Sequence, residues 1–172
     1  TCFSTATVTA VVIDTLRLTA TSDKDTICEG ESILLIAQGS AGRTASHQYR
    51  WSSGETDKNL LKTPLTSTLY TITLTDNCSD PVTDSIYITV HPKVTIDHST
   101  SPIKCYGELG FAEVIPRSSD PHTIIWRTDP EVYGPRINAL VADYYDVSVI
   151  NDVTGCRMDT TIYIPGYNKI NA

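Results

Sequence analysis

Hydrophobic and polar residues alternate along much of this chain, and an alternation with period two is the pattern of half-buried β-strands. In the stretch 69–75, Tyr70, Ile72 and Leu74 fall on one face and threonines fall on the other. No helical period of useful length is present. The chain also holds 25 threonines, and β-branched residues suit strand surfaces. The pattern predicts an all-β fold.

The same alternation predicts two series of strands. The first series comprises residues 15–20, 32–38, 48–52, 60–61, 67–75 and 83–90. The second comprises residues 94–96, 111–115, 123–127, 136–141, 143–150 and 160–164. An alternating run at 4–13 precedes both series, and residues 1–13 are predicted to be the last strand of a preceding repeat.

The five cysteines recur at a nearly constant spacing. The interval from Cys28 to Cys105 nearly equals the interval from Cys2 to Cys78 and the interval from Cys78 to Cys156. One cysteine series opens each unit and the other closes it. A constant interval of this length indicates repeated structural units.

Other landmarks keep nearly the same offset. The spacing from Trp51 to Trp126 is the same as the spacing from Tyr70 to Tyr145. The two tyrosines lie in matching alternating stretches. We therefore predict two β-sandwich domains, at 14–91 and 92–172, with His91-Pro92 at their junction.

The cysteine series predicts one disulfide in each unit, Cys28–Cys78 and Cys105–Cys156. Paired cysteines lie at the same end of a sandwich, which requires an even number of traversing strands between them, and four are predicted in each unit. Closing a loop of this size stabilises a domain by about 4 kcal/mol. Disulfides indicate an oxidising compartment. Cys2 is expected to pair upstream of Thr1.

Composition and charge exclude several function classes. The 13 Lys and Arg against 20 Asp and Glu give a net charge of −7, which argues against nucleic acid or an anionic membrane surface as a partner. No apolar run approaches the roughly 18 residues of a membrane span. The chain lacks an initial Met and a signal peptide, so we expect its targeting signals to lie outside it.

The Cys, Trp and Cys order resembles the immunoglobulin pattern, although the cysteines flank the strands here. A closer resemblance covers nearly the whole chain. Residues 103–164, with Ile103-Lys104-Cys105-Tyr106-Gly107-Glu108, Ile124-Ile125-Trp126 and Thr154-Gly155-Cys156, resemble the SprB-type repeat of gliding-motility and surface adhesins of Bacteroidetes. Residues 26–90, with Ile27-Cys28-Glu29-Gly30-Glu31-Ser32 and the stretch 70–78, resemble the immunoglobulin-like or PKD-like repeats of the same secreted proteins.

The resemblance implies tandem immunoglobulin-like β-sandwich repeats, displayed on the cell surface or secreted across the outer membrane. Export would use type IX secretion machinery through a sorting domain outside this chain, and a surface polysaccharide is a candidate partner. Four segments also resemble the O-glycosylation motif of Bacteroidetes, in which Asp precedes Ser or Thr. The alternative is that Asp before Thr merely starts strands. The acceptors would be Thr15, Thr26, Ser85 and Thr160.

The sequence predicts no catalytic residue, no cofactor and no metal site. The histidines lack the spacing of zinc ligands, and the acidic loop around Asp23 and Glu31 lacks the ligand spacing of a calcium loop. Trp51 and Trp126 are predicted to fill the core because both units share the position. The alternative is a carbohydrate-binding accessory module of a secreted enzyme, in which exposed aromatic residues bind sugars. Sugar recognition would otherwise have to use the loops 39–47 or 128–136, which differ between units.

Overall fold

The computed structural model describes residues 4, 6, 7, 12 and 14–166. Cys2, which was predicted to pair with a cysteine upstream of Thr1, and most of the predicted strand at 4–13 lie outside the described residues. The chain divides between Val90 and His91 into two compact units. Among the described residues the only helical element is a 3-10 turn at Thr44–Ser46, and no helix is both long and apolar enough to cross a membrane. The all-β prediction is confirmed.

The N-terminal unit contains two sheets. The strands are β1 (Arg17–Ser22), β2 (Thr26–Cys28), β3 (Ile33–Ser40), β4 (Gln48–Trp51), β5 (Asn59–Lys62), β6 (Thr68–Thr75) and β7 (Val82–His91). One sheet has the order β1-β3-β5, and the other has the order β2-β7-β6-β4. The pairs β1–β3, β3–β5, β4–β6 and β6–β7 are antiparallel.

The strands of the C-terminal unit are β8 (Ile96–Thr100), β9 (Gly110–Pro116), β10 (His122–Trp126), β11 (Val132–Tyr133), β12 (Arg136–Leu140), β13 (Tyr144–Asn151) and β14 (Arg157–Tyr163). Its sheets have the orders β8-β9-β12 and β11-β10-β13-β14. Six strands repeat the N-terminal arrangement: β8, β9 and β12 match β1, β3 and β5, while β10, β13 and β14 match β4, β6 and β7. The units differ at one edge of the four-stranded sheet, because β11 pairs with β10 whereas β2 pairs with β7.

Each unit has one buried tryptophan. In the N-terminal unit, residues from both sheets form one hydrophobic cluster that includes Trp51. Trp51 is 1% exposed and Trp126 is 0% exposed. Their indole N–H groups donate to the Asp57 carbonyl at 2.9 Å and the Gly134 carbonyl at 3.0 Å. The prediction that both tryptophans fill the core is confirmed.

The strand registers show that in each sandwich two consecutive short strands together run once from one end to the other, so that they count as a single traverse. The ends of β3 and β6 meet at one edge, where the Arg43 backbone N–H donates to Asp76 Oδ2 at 2.7 Å. From this edge β4 runs only to the level of Ile72 on β6. In the other sheet β5 runs from the level of Ile36 to that of Ile33, at the opposite end of β3. Strands β10 and β12 repeat this arrangement in the C-terminal unit.

This topology places the cysteines of the first predicted disulfide at opposite ends of the sandwich. Three traverses separate Cys28 from Cys78, instead of the four expected. The Thr89 N–H donates to the Asp25 carbonyl at 2.8 Å, so β2 begins beside the far end of β7, whereas Cys78 precedes its start at Val82. The two ends are about 23 Å apart, and the Cα atoms of a disulfide lie within about 7 Å. The predicted Cys28–Cys78 bond is wrong, and Cys78 is a free, exposed thiol.

The second predicted disulfide fails for the same reason. The Ile103 N–H donates to the Pro165 carbonyl at 3.0 Å, beyond the end of β14, while Cys156 immediately precedes the start of that strand. The predicted Cys105–Cys156 bond is therefore wrong, and Cys105 is a free, exposed thiol. Cys28 and Cys156 are each disulfide-bonded. The prediction that each unit contains one disulfide between its opening and closing cysteines is therefore wrong.

The opening cysteines instead belong to a turn that both units share. The Cys28 N–H donates to Glu31 Oε2 at 3.0 Å, and the Glu31 N–H donates back to the Cys28 carbonyl at 3.0 Å. Cys105 and Glu108 make the same two contacts, at 3.0 Å and 3.3 Å. The intervening Gly107 has a φ of 86°, a left-handed conformation that favours glycine. The repeated Cys-x-Gly-Glu motif therefore encodes a local turn.

Candidate binding surfaces

The predicted O-glycosylation positions differ in accessibility. Thr15, Thr26 and Ser85 are exposed, whereas Thr160 is half-buried. An acceptor hydroxyl has to reach the active site of a transferase, so the first three positions fit that role better. Glycosylation at all four positions stays a prediction.

His47 and Asp23, two of the residues with metal-ligand chemistry, are engaged in local hydrogen bonds. His47 Nε2 lies 3.0 Å from the Ala41 carbonyl, and Asp23 Oδ1 accepts the Leu34 N–H at 2.7 Å. Within the described part of the chain, no group of three or more His, Cys, Asp or Glu side chains lies close enough to hold a metal ion. These contacts hold loops against strands.

A buried polar residue anchors the turn after β6 and after β13. Asp76 is fully buried and accepts hydrogen bonds from the backbone N–H groups of Arg43, Cys78 and Ser79. These donors, led by the Arg43 and Ser79 N–H groups, hold the pKa of Asp76 well below its usual range. Asn151 has the corresponding position in the C-terminal unit. Neither side chain is free for a ligand.

The outer face of the four-stranded sheet in the C-terminal unit carries an exposed aromatic pair. Tyr144 and Tyr163 lie opposite each other on β13 and β14. Their ring centroids are 4.8 Å apart and the rings are tilted by 35°. They are 68% and 51% exposed. Neither tyrosine was singled out as a site residue in the sequence.

A polar network lies two cross-strand rows from the tyrosines. Ser148 is buried and donates to Asp159 Oδ1 at 2.6 Å. Its hydroxyl oxygen also accepts hydrogen bonds from Arg127 Nε at 3.1 Å and from Arg157 Nη2 at 3.0 Å. The Arg157 guanidinium, followed by the Ser148 hydroxyl, lowers the pKa of Asp159. The network is fixed in place before any ligand arrives.

Further polar groups extend this network in both directions. Between it and the tyrosines, Thr161 Oγ1 donates to Asp146 Oδ1 at 2.6 Å. On the other side Arg127 pairs with Glu131, which lowers the pKa of that carboxyl group. Tyr133 Oη donates to Glu131 Oε2 at 3.2 Å. An open depression of about 360 Å³ lies over the side chains of Arg127, Asp146, Ser148, Arg157, Asp159 and Thr161.

The same face of the N-terminal unit lacks this combination of residues. Leu69 and Tyr87 occupy the row that matches the tyrosine pair. Thr73 and Thr83 occupy the row that matches Ser148 and Asp159. Corresponding surfaces of the two units therefore share a backbone and differ in their chemistry.

The strand orders define the class of the fold. One sheet joins the first, second and fifth strands of an immunoglobulin domain, and the other joins the third, sixth and seventh. At the start of β13, Tyr145 Oη donates to the Val141 carbonyl at 3.1 Å, as the tyrosine corner of these domains does. Each unit is an immunoglobulin-like β-sandwich.

Solved structures of immunoglobulin-like proteins resemble the chain at low identity. Three N-terminal domains of the Hoc outer capsid protein of bacteriophage RB49 match at 12% identity with a TM-score of 0.43, covering 88% of this chain and 59% of that one. Murine CEACAM1b matches at 12% identity with a TM-score of 0.40, covering 88% and 100%. Immunoglobulin domains 1–5 of Sidekick-1 match at 13% identity with a TM-score of 0.47, covering 92% and 40%. No protein-family model and no curated protein matches the chain.

Proposed function

We propose that this chain supplies two non-catalytic immunoglobulin-like modules of a large cell-surface adhesin, acting as a stalk and spacer and presenting an adhesive surface. The observation that carries the proposal is the recurrence of one order of six strands in two compact units. Repetition of a self-contained module lengthens a protein, because each unit stabilises itself through its own core.

The adhesin is proposed to be of the gliding-motility type, with SprB-like repeats. The resemblance of residues 103–164 to that repeat supports this assignment. Export by type IX secretion would proceed through a sorting domain outside this chain. The disulfide-bonded state of Cys28 and Cys156 fits an oxidising compartment, and so supports a position at the cell surface or outside the cell.

The accessory-module alternative relied on exposed tryptophans. Both indole rings are buried and donate their N–H groups to backbone carbonyls. Neither ring can stack against a sugar without the sandwich opening. We therefore do not propose that the tryptophans bind a carbohydrate.

Force spectroscopy tests the spacer role. The chain is placed between handle domains of known unfolding length and pulled under reducing conditions, so that disulfides do not shorten the released length. We expect two separate unfolding events, each releasing roughly 25 nm for a unit of this size. One event that releases both units together, or extension without resistance, would contradict the proposal.

Labelling of the source cells tests location and export. An antibody against the two-unit chain should label intact cells, and external protease should remove the signal. Inactivation of type IX secretion should abolish the labelling while the protein accumulates inside the cell. Intact-mass measurement of the native protein tests glycosylation, because glycans add hexose-sized increments.

A further inference from the structure

We infer that the outer face of β10, β13 and β14 binds a neutral oligosaccharide. In this site the outer faces of the Tyr144 and Tyr163 rings provide the aromatic stacking surface, and Asp146 and Asp159 provide polar contacts. The inference rests on the proposed function for its biological role, since it specifies the ligand of the adhesive surface. Its physical basis is the arrangement of side chains on this face.

The tyrosine pair provides the apolar part of the site. Both rings are more than half exposed. Because their centroids are only 4.8 Å apart, the rings pack against each other and leave their outer faces for a ligand. A pyranose ring has an apolar face of C–H groups, which packs on an aromatic ring while its hydroxyls stay at the rim. Aromatic side chains combine such a contact area with a polar tip. An exposed pair of this kind suits a sugar ring.

The polar rows provide the hydrogen-bonding part. Sugar hydroxyls donate to carboxylates and accept from guanidinium groups, and this depression presents both. Asp159 is held by Ser148 and Arg157, so its orientation costs little entropy on binding. Asp146 is exposed and uses one of its oxygens for Thr161. A few fixed polar groups beside an apolar platform are typical of ligand sites.

The spacing of the rows sets the size of the ligand. Outward residues on one strand recur every second position, so the row of Tyr144 and the row of Ser148 are about 13 Å apart. This length fits a short oligosaccharide that lies along the strands. One ring would stack on the tyrosines and the following rings would reach Asp146 and Asp159.

The charge of the face favours a neutral ligand over an acidic one. Arg127 and Arg157 are paired with Glu131 and Asp159, and Asp146 adds a negative charge. The chain as a whole carries a net charge of −7. An acidic polysaccharide would meet like charge, which disfavours association.

A second protein surface fits the face less well than a saccharide. A stable protein interface buries about 800 Å² on each partner, while two tyrosines supply only a small apolar centre. Covering the ion pairs with protein would also remove their water, and that desolvation is costly. A sugar replaces water with hydroxyl groups and leaves no charge unpaired.

Affinity electrophoresis tests the inference with the two-unit chain. Native gels contain glucomannan, xyloglucan or laminarin as neutral polymers, and alginate as the acidic polymer. We expect retardation in at least one neutral gel and none in alginate. The Tyr144→Ala/Tyr163→Ala variant should lose the retardation. Tyr87→Ala, which alters the matching row of the N-terminal unit, should keep it.

Calorimetry then measures the loss of affinity. The titrant is a hexasaccharide cut from the retarding polymer, and a native emission spectrum of Trp51 and Trp126 verifies the fold of each variant. The double tyrosine variant should bind at least about tenfold more weakly, and Asp146→Ala should also reduce affinity.

Three outcomes would overturn the inference: no retardation in any neutral gel, retardation that survives the double tyrosine variant, or equal loss with Tyr87→Ala. Sedimentation velocity covers the remaining alternative. If the double variant abolishes self-association and sugar binding is absent, the face is a contact between copies. The two unfolding events and the surface labelling do not depend on sugar, so failure here leaves the proposed function separately testable.

Discussion

Replacing Trp126 by Phe is predicted to destabilise the C-terminal unit selectively. Trp126 is fully buried in its unit, and its indole N–H holds the Gly134 carbonyl in the segment between β11 and β12. Phenylalanine keeps an aromatic ring in the core but removes the pyrrole part of the indole and its donor. The perturbation is therefore a small cavity together with one lost hydrogen bond.

The two effects are of similar size. A cavity of roughly 40 Å³, at about 24 cal/mol per Å³, costs about 1 kcal/mol. Loss of the hydrogen bond to the partly buried Gly134 carbonyl costs about another 1 kcal/mol. A total of about 2 kcal/mol is a large part of the stability of a small domain. With a slope of about 1 kcal/mol per M of urea, the unfolding midpoint of this unit should fall by about 2 M.

The chain contains two tryptophans, one in each unit, which allows the units to be measured separately. In Trp126→Phe, the emission of Trp51 reports only the N-terminal unit, and far-UV circular dichroism reports both. We expect an unchanged midpoint by fluorescence and an earlier transition by circular dichroism. Trp51→Phe is the matched control, because it should reverse the pattern and also free the Asp57 carbonyl.

A shift of the Trp51 emission midpoint as large as that of the dichroism transition would contradict this prediction. That result would mean that the two units unfold as one cooperative body. A change below about 0.5 kcal/mol would equally refute the assignment of Trp126 to a tightly packed core.

Three further predictions concern stability and thiol chemistry. Gly42→Ala should lower the melting temperature of the N-terminal unit by roughly 10 °C, since the φ of Gly42 is 57° and the new Cβ would lie 2.4 Å from Asp76 Oδ2. Calorimetry measures this change. Gly54→Ala is the control, because it adds backbone strain at a φ of 99° but its Cβ would have no neighbour within 4 Å. The hydrogen bond from Lys62, and then that from Ser53, lowers the pKa of Glu55 to about 2, so the stabilisation is present above the unfolded pKa near 4.5 and is lost as pH falls through 2. Melting curves from pH 5 to 2 should show this loss, and Lys62→Ala should flatten it. Maleimide labelling of the native protein followed by peptide mapping should modify Cys78 and Cys105, and protection of both would contradict their free state.

The strands and the core could be predicted from the local sequence pattern. Burial on one face of a strand alternates with every residue, so Tyr70, Ile72 and Leu74 reveal their strand without knowledge of its neighbours. Two strands were missed, β2 and β11, which have three and two residues, and the strand predicted at 94–96 overlaps β8 only at Ile96. Segments this short contain too few positions for a period to be recognised.

The candidate sugar site could be predicted from the sequence only in part. The sequence limited sugar recognition without the tryptophans to the loops 39–47 or 128–136, and from the second of these Glu131 pairs with Arg127 of the polar network. Tyr144 lies in a predicted strand, but nothing local pairs it with Tyr163. Their contact depends on the register between β13 and β14, and register is a property of the assembled sheet.

Local pattern and spacing are enough to establish that this protein is all-β, that its landmarks recur at a nearly constant interval, and that each tryptophan belongs to a core. All three follow from short-range alternation or from spacing along the chain. The assembled sandwich was needed to show that β4 and β5 complete a single traverse, which separates the cysteines that spacing had paired. A disulfide and a binding face both depend on which residues reach the same place in space, and strand count does not show how far across the sandwich each strand runs.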